Sequence, residues 1–203
     1  MTNRQRLQRV FNFQPVDRLP VLEWAVWWDK TIARWHTEGL PAELTDAGDI
    51  RDYFGQDCHR QYWIGPAGRS KVANREQYLA LKPTLYPENA FDKDMVRGWA
   101  ERHATGEMIV WITLEGPFWY PRTLFGIEEH LYAFYDQPDL MKEMNEDLLA
   151  FNLRIYDEFC EICVPDFVTF AEDMSYNHGP MLSKAQFDEF MAPFYRRITP
   201  VLK

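Results

Sequence analysis

The sequence predicts a mixed α/β fold in which short parallel strands alternate with longer helices. Apolar and β-branched stretches at 19–24, 58–64 and 108–116 are each followed by helical segments, and another at 166–171 follows the longest helix. Strands that alternate with helices are joined by crossovers and lie parallel in one sheet. The loops that follow such strands emerge at one edge, whether the sheet is open or closed.

The helices are predicted from caps and from apolar positions three and four residues apart. Thr2 and Gln5 form a capping-box pattern that begins the first helix, and Ser183 and Gln186 repeat it near the end of the chain. Further helices are predicted over 25–39, 49–55, 88–106, 127–136, 136–163 and 184–191. Pro193 is expected to break or restart the last of them. No element is predicted over 65–87.

The composition sets limits on the class of protein. The chain has 203 residues, of which 46% are apolar and 16% aromatic, so residues 1–203 can form a single domain with a large core. The net charge of −9 argues against a nucleic-acid partner, because it repels phosphates. The sequence contains no secretory leader and no apolar run long enough to span a membrane. We therefore expect a soluble, cytoplasmic protein.

Acidic residues follow three of the predicted strands. Glu23 ends the first strand, Glu115 lies at the end of the strand at 108–116, and Glu172 and Asp173 follow the strand at 166–171. Because parallel strands end at a common edge, we expect these carboxylates to converge where α/β enzymes build their sites. Carboxylates at strand ends also serve as helix caps or as partners of arginine, and that structural interpretation stays open.

Other residues near these strand ends are candidates for binding or catalysis. Trp24 follows a strand end and could form the floor of a pocket, although most tryptophans in such sequences belong to the core. His178 lies in a strand-to-helix loop, where a histidine serves as an acid, a base or a ligand, or is simply solvated. Cys160 and Cys163 have the spacing of a metal or redox pair, but their position at the end of an apolar helix stripe favours a place in the core.

Five stretches together resemble a known family in order and spacing. They read "NRQRLQRVFNFQPVDRLPV", "DYFGQD", "LEGPFWYPRTLFG", "YDQPDLMKEM" and "DFVTFAEDMSYNHGPMLSKAQFDEFMAPFYRRI". This pattern is similar to the uroporphyrinogen decarboxylase family, which includes the corrinoid-linked methyltransferases. The resemblance implies a (β/α)8 TIM barrel with its site at the carboxyl ends of the strands. Family members are longer, so the resemblance also implies that 203 residues cover only the amino-terminal part of the barrel.

The resemblance leaves two reactions open. Decarboxylases of the family carry an arginine-rich "RQAGR" signature after the first strand, whereas this chain reads "EWAVWWDK" there. Unpaired like charges in close proximity cost about 1 kcal/mol or more each, so an acidic site would repel a porphyrinogen with many carboxylates. The catalytic aspartate of the decarboxylases has no clear counterpart, and Asp57 is the nearest acid. Methyl transfer is therefore favoured, with porphyrinogen decarboxylation as the alternative.

The resemblance also suggests roles for individual residues. Glu172, Asp173 and His178 are expected to be catalytic, as acids, bases or carboxylates beside a metal. Substrate contacts are expected from Glu23, Trp24, Glu115, Arg122 and Tyr176. Arg122 is the best available anchor for an anion.

The expected cofactors and partners come from the methyltransferase branch. Its members bind zinc to activate a thiol, and zinc ligands would lie beyond Lys203. The expected substrate is a small molecule or a corrinoid protein, and the corrinoid is either substrate or partner cofactor. A homo-oligomer is one possible assembly, and a non-catalytic partial barrel that needs a partner is the second alternative.

Overall fold

A sheet of three parallel strands forms the centre of the molecule in a computed structural model, which describes residues 1–68 and 70–202. The strands β1 (His59–Ile64), β2 (Ile109–Glu115) and β3 (Phe167–Ala171) lie in the order β1-β2-β3. The prediction of a mixed α/β fold with parallel strands is confirmed. Within the described ranges the sheet is open, and its strands do not close into a barrel.

Ten α-helices of the described chain surround or extend this sheet. They are α1 (Asn3–Phe11), α2 (Asp29–Glu38), α3 (Ala47–Tyr53), α4 (Arg75–Leu85), α5 (Lys93–Ala104), α6 (Trp119–Phe125), α7 (Ile127–Asp136), α8 (Pro138–Cys160), α9 (Lys184–Gln186) and α10 (Ala192–Ile198). One π-helical stretch of the described chain, Phe187–Met191, lies between α9 and α10. α10 then starts at Ala192 with Pro193 in its first turn, so the helix restarts at this proline.

Both crossovers cover the same face of the sheet. Val110, Ile112 and Leu114 alternate along β2 and pack in one buried cluster with Val96 of α5 and Phe159 of α8. α5 belongs to the β1–β2 connection and α8 to the β2–β3 connection. We call this the outer face. Truncation of a buried phenylalanine such as Phe159 costs about 3–5 kcal/mol, so this layer contributes much of the stability.

Fewer side chains pack on the opposite face of the sheet. Ile109 and Trp111 of β2 pack there against Leu7 of α1 and partly buried Leu22 and Phe167. We call this the inner face. It borders the cavity described below, because side chains alternate between the two sides of a strand.

The strand predicted over 19–24 does not form, so that prediction was wrong. The segment is extended, and Asp57 N donates to Val21 O at 2.9 Å, but no ladder follows. Pro20 has no amide hydrogen, and Val21 N donates to the side chain of Asp57 at 3.0 Å instead of to a neighbouring strand.

Several elements were not predicted or have different bounds. α4 begins at Arg75, after the N-cap Asn74, whose side chain accepts from Gln77 N; no element was predicted in this segment. α6 was not among the predicted helices, and α2 begins at Asp29 rather than at residue 25. A two-stranded hairpin, β4 (Ser175–Tyr176) and β5 (Gly179–Pro180), follows β3.

The described helices include none that is long and apolar enough to cross a bilayer. All three cysteines are free. Burial raises the pKa of Cys163 to about 11, and Cys160 is partly buried at the end of α8. The pair therefore has the character of core residues rather than of reactive thiols.

Candidate functional site

A cavity of about 680 Å3 opens on the inner face of the sheet. Its volume lies in the usual range for small-molecule sites. The lining is mostly aromatic and aliphatic and comprises Leu7, Phe11, Leu22, Trp24, Trp63, Trp111, Thr113, Trp119, Phe167, Thr169, Phe170, Ala171, Glu172 and Asp173. It includes two carboxylates and, among the described residues, no lysine, arginine or histidine.

Glu172 is held by three hydrogen-bond donors directly after β3. Its Oε1 accepts from Phe118 N at 3.1 Å and from Tyr195 Oη at 2.8 Å, and its Oε2 accepts from Trp119 N at 2.9 Å. The two amides lie at the start of α6, where backbone N–H groups lack partners within the helix. Glu172 therefore caps α6 from a distant part of the chain while its side chain borders the cavity.

The protonation of Glu172 is shifted into the neutral range. Burial raises the pKa of this carboxyl to about 7, and the negative charge of Glu115 contributes in the same direction. The hydrogen bonds from Phe118, Tyr195 and Trp119 stabilise the ionised form and oppose the shift. A carboxyl with such a pKa is suited to both accepting and donating a proton near pH 7.

Gly116 makes this arrangement possible. A Cβ added to Gly116 would lie 2.0 Å from Glu172 Oε1 and 2.5 Å from its Cγ. Only glycine leaves room for the carboxylate to reach the amides of α6, so the glycine of the "LEGP" stretch has a steric function.

Asp173 is the second carboxylate of the cavity, and it has a cationic partner. Arg122 Nη2 lies 3.4 Å from Asp173 Oδ2, and the Arg122 guanidinium stacks over the Trp119 ring at 4.3 Å from its centroid. The Asp173 side chain is 60% exposed, whereas that of Arg122 is 13% exposed. Arg122 does not line the cavity itself, and its charge is largely balanced by Asp173.

Glu115 lies at the carboxyl end of β2, beside the cavity. Trp63 Nε1 donates to Glu115 Oε1 at 2.9 Å, which links the ends of β1 and β2. Glu115 is the register partner of Ala171, the residue before Glu172, and its negative charge contributes to the raised pKa of Glu172. The structure thus brings Glu115, Glu172 and Asp173 together, as expected for residues at the ends of neighbouring parallel strands.

No match was found when the chain was compared with models of known protein families, with curated proteins and with solved structures. The chemistry of the site therefore has to be inferred from the geometry of its own residues.

Glu23 and Trp24 lie on the segment that does not form a strand. Trp24 lines the cavity and is 68% exposed. Glu23 does not line the cavity; its Oε1 accepts from Ala25 N at 3.1 Å, and its carbonyl oxygen lies 2.9 Å from His59 Nε2. Glu23 therefore does not join the other carboxylates at the cavity, whereas Trp24 borders it.

Tyr176 and His178 lie on the β4–β5 hairpin and are exposed. Their rings contact each other edge to face, with centroids 5.7 Å apart. Neither side chain lines the cavity, and a histidine in a two-residue turn projects toward solvent. The roles expected for them, in catalysis and in substrate contact, have no support from this arrangement.

Sequence reasoning missed the residues that form the floor of the cavity. Thr113 Oγ1 accepts from Gln61 Nε2 at 2.7 Å and lies 2.8 Å from Thr169 Oγ1, so a polar row crosses all three strands. Trp111 and Trp63 were also missed. The signal was the alternation in "WITLE", because Trp111, Thr113 and Glu115 share one face of β2.

Asp57, the acid nearest to the expected catalytic position, belongs to a different part of the molecule. It precedes β1, at the amino end of the strand, and forms ion pairs with Arg18 and, at 3.9 Å, with Arg6. The hydrogen bond from Arg18 holds the pKa of Asp57 below its usual value. Asp57 therefore fixes the amino-terminal segment and does not border the cavity.

Proposed function

We propose that the chain is the amino-terminal part of a (β/α)8 barrel enzyme of the uroporphyrinogen decarboxylase family. The proposed reaction is methyl transfer involving a corrinoid, a tetrapyrrole or a methylated substrate. Porphyrinogen decarboxylation is the alternative.

The path of the chain supports a barrel over a doubly wound sheet. The strand order β1-β2-β3 never reverses, and both crossovers cover the outer face. A doubly wound sheet places helices on both faces and reverses its strand order at a switch point. In a barrel, all helices lie outside and the inner face carries layers of side chains, as the polar row of Gln61, Thr113 and Thr169 does here.

The observation that carries the proposal is the state of Glu172 at the edge of an aromatic cavity. With a pKa of about 7, its carboxyl can hold a proton or release it at neutral pH. Oε2 has a single described partner, Trp119 N, and so retains a lone pair for a substrate proton. Glu172 would thus supply or remove a proton at a substrate heteroatom as a methyl group is exchanged.

The lining of the cavity favours methyl transfer over decarboxylation of a polyacid. The described lining residues offer no cationic side chain to hold several substrate carboxylates, and Arg122 is balanced by Asp173. Trp24, Trp63 and Phe11 supply apolar surface suited to a neutral or cationic planar group.

The described residues do not fit a zinc ion by themselves. Within 1–68 and 70–202 no three histidine, cysteine, aspartate or glutamate side chains are grouped to hold a metal. Among the described residues that line the cavity there is no histidine or cysteine, and Asp173 is paired with Arg122. No step is therefore assigned to zinc, and a corrinoid is treated as substrate.

The two reactions can be separated with one protein preparation. Incubation with methylcobalamin and a small thiol should transfer the methyl group, followed as loss of the methylcobalamin absorbance and formation of the thioether. Glu172→Gln should lower the rate at least tenfold in a chain that still unfolds cooperatively, whereas Glu128→Gln, at an exposed position of α7, should not lower it. Conversion of uroporphyrinogen to products with fewer carboxylates on chromatography would overturn the preference for methyl transfer.

A non-catalytic partial barrel is the second candidate function. Every residue of β3 is partly exposed, although its sequence, "FVTFA", is as apolar as a central strand, whereas six of the seven residues of β2 are buried. A bare apolar strand edge is a site for pairing with another chain. Light scattering tests this candidate, because a monomer that unfolds cooperatively and is active would exclude an obligatory partner.

A further inference from the structure

The aromatic side chains around the cavity differ in which ring faces are open. Trp111 is stacked on both sides, with the His59 ring at 5.4 Å and the Phe167 ring at 5.1 Å. One face of Trp119 is covered by the Arg122 guanidinium. Trp24 and Trp63 are 68% and 52% exposed, so their indole rings are the surfaces available to a planar ligand.

The floor of the cavity offers one hydroxyl hydrogen. Thr113 and Thr169 share one hydrogen in their mutual 2.8 Å bond, and Gln61 Nε2 donates a further one to Thr113. Two hydroxyl groups have two hydrogens, and one is used in the mutual bond. The other has no acceptor among the described residues. Because Thr113 is buried and both threonines line the cavity, this hydrogen can be donated to a ligand oxygen or nitrogen.

Two carboxylates, Glu172 and Asp173, line the cavity at the carboxyl end of β3. Glu115 is the register partner of Ala171, the residue before Glu172, and its negative charge opposes ionisation of Glu172. The charge of Asp173 is balanced by Arg122, and Tyr195 reaches Glu172 as a neutral hydrogen-bond donor. A ligand cation near Glu172 would relieve the repulsion between the two glutamates, while a ligand anion would increase it.

We propose that this cavity selects a planar aromatic ligand with a cationic amine or methylated ammonium at one end and a hydrogen-bond acceptor at the other. The cation meets Glu172, the ring lies against Trp24 and Trp63, and the acceptor meets the Thr113–Thr169 pair. This ligand class would be the substrate class of the cavity described above, so its role as a substrate rests on the proposed function. Binding alone can be measured without that reaction.

Calorimetric titration of the full chain with four related indoles tests the proposal. 5-Methoxytryptamine carries both features, tryptamine lacks the acceptor, 5-methoxytryptophol is neutral, and 5-methoxyindole-3-acetate is anionic. At pH 8 we expect 5-methoxytryptamine to bind at least fivefold more tightly than the alcohol and at least threefold more tightly than tryptamine. The acetate should bind most weakly.

Variants assign each preference to its group. Glu172→Gln should remove the preference for the amine over the alcohol, and Thr169→Val should remove the preference for 5-methoxytryptamine over tryptamine. Thr123→Val, in α6 with its hydroxyl bonded to Tyr120 O, is the matched control and should change neither. Thermal melts monitored by circular dichroism show whether each variant is folded.

The preference for the amine should also shrink as the pH falls from 8 to 5.5, because Glu172 gains a proton. Tight binding of the acetate, or no binding of any indole to the folded chain at millimolar concentration, would overturn the proposal. Selective amine binding without methyl transfer would uphold the ligand class and reject the proposed function. Methyl transfer without selective binding of the amine would uphold the proposed function and reject the ligand class.

Discussion

Tyr195 Oη donates a 2.8 Å hydrogen bond to Glu172 Oε1, so α10 holds the carboxylate that follows β3. Burial and the adjacent carboxylate raise the pKa of the Tyr195 phenol, which keeps it a neutral donor. The bond from Tyr195 stabilises ionised Glu172, whereas burial favours the protonated form. The pKa of Glu172 therefore depends on two opposing effects, and a single substitution that removes one of them should change it.

Removing the Tyr195 hydroxyl should raise the pKa of Glu172 further. Tyr195→Phe deletes a donor to the ionised carboxylate, and a hydrogen bond to a charged group contributes about 1.5 kcal/mol, or about one pKa unit. The measurement is a carbon NMR titration of the glutamate carboxyl groups. Tyr135→Phe, at an exposed position of α7, is the control and should leave the titration unchanged. An unchanged pKa in Tyr195→Phe would show that the phenol does not bond to Glu172 in solution.

The raised pKa of Glu172 should make the protein less stable as the pH rises. The carboxyl has an ordinary pKa of 4.5 and a pKa of about 7 in the folded chain, so between these values the folded state binds more protons than the unfolded state. Stability from this group is therefore present below pH 4.5 and lost as the pH rises through 7. The full shift corresponds to on the order of 3 kcal/mol.

Urea unfolding of the wild type and of Glu172→Gln at pH 5 and pH 8 measures this loss. Glutamine does not titrate, so only the wild type should lose stability from this group between pH 5 and pH 8. The free energy of unfolding of the variant, relative to that of the wild type, should therefore be higher at pH 8 than at pH 5. The absolute stability of the variant can be lower at both values, because one of the α6 amides then faces an amide nitrogen. A pH-independent difference would contradict the raised pKa.

Gly116→Ala should displace Glu172 from the start of α6. The added Cβ would overlap Glu172 Oε1, so the carboxylate or the strand end has to move, at a cost of about 1–3 kcal/mol. Gly98→Ala is the matched control, because a Cβ there meets nothing within 4 Å and the residue lies inside α5. That substitution should stabilise the protein by about 0.5–1 kcal/mol. Urea unfolding of both variants gives the comparison, and equal effects would show that Gly116 has no special role.

The parts of the fold that the sequence predicts well are those decided by nearby residues. β2 follows from the run "IVWITLE", and the first helix follows from Thr2 and Gln5, whose two capping bonds both form. The carboxylates at the ends of β2 and β3 converge because parallel strands end together. In each case the pattern lies within about ten residues of the element that it predicts.

The parts that could not be predicted depend on distant partners. α6 begins at amides bonded to Glu172, more than 50 residues further along the chain. The segment at 19–24 loses its strand because Val21 N bonds to Asp57, 36 residues away. His178 lies near β3 in sequence, but the β4–β5 turn exposes it. Short-range patterns contain no information about such contacts.

His130 of α7 is fully buried between two phenylalanine rings, and its pKa is lowered for that reason. Phe118 and Phe134 lie 4.8 and 4.9 Å from it, and neither ring nitrogen has a hydrogen-bond partner among the described residues. Burial, with the positive charge of Arg122, lowers the pKa of His130 to about 3. The substitution His130→Phe would remove an unsatisfied polar group from this site. This effect alone should raise the free energy of unfolding by about 1 kcal/mol at pH 7.

The pH dependence of His130→Phe isolates this effect from any change in packing. In the wild type the unfolded chain binds a proton near pH 6.5 and the folded chain only near pH 3, so wild-type stability falls as the pH drops through this window. The gap between variant and wild type should therefore widen by about 2 kcal/mol from pH 7 to pH 5 in urea unfolding. If the difference in the free energy of unfolding between His130→Phe and the wild type stayed constant with pH, the buried imidazole would bind a proton as readily in the folded chain as in the unfolded one. That result would contradict the lowered pKa of His130.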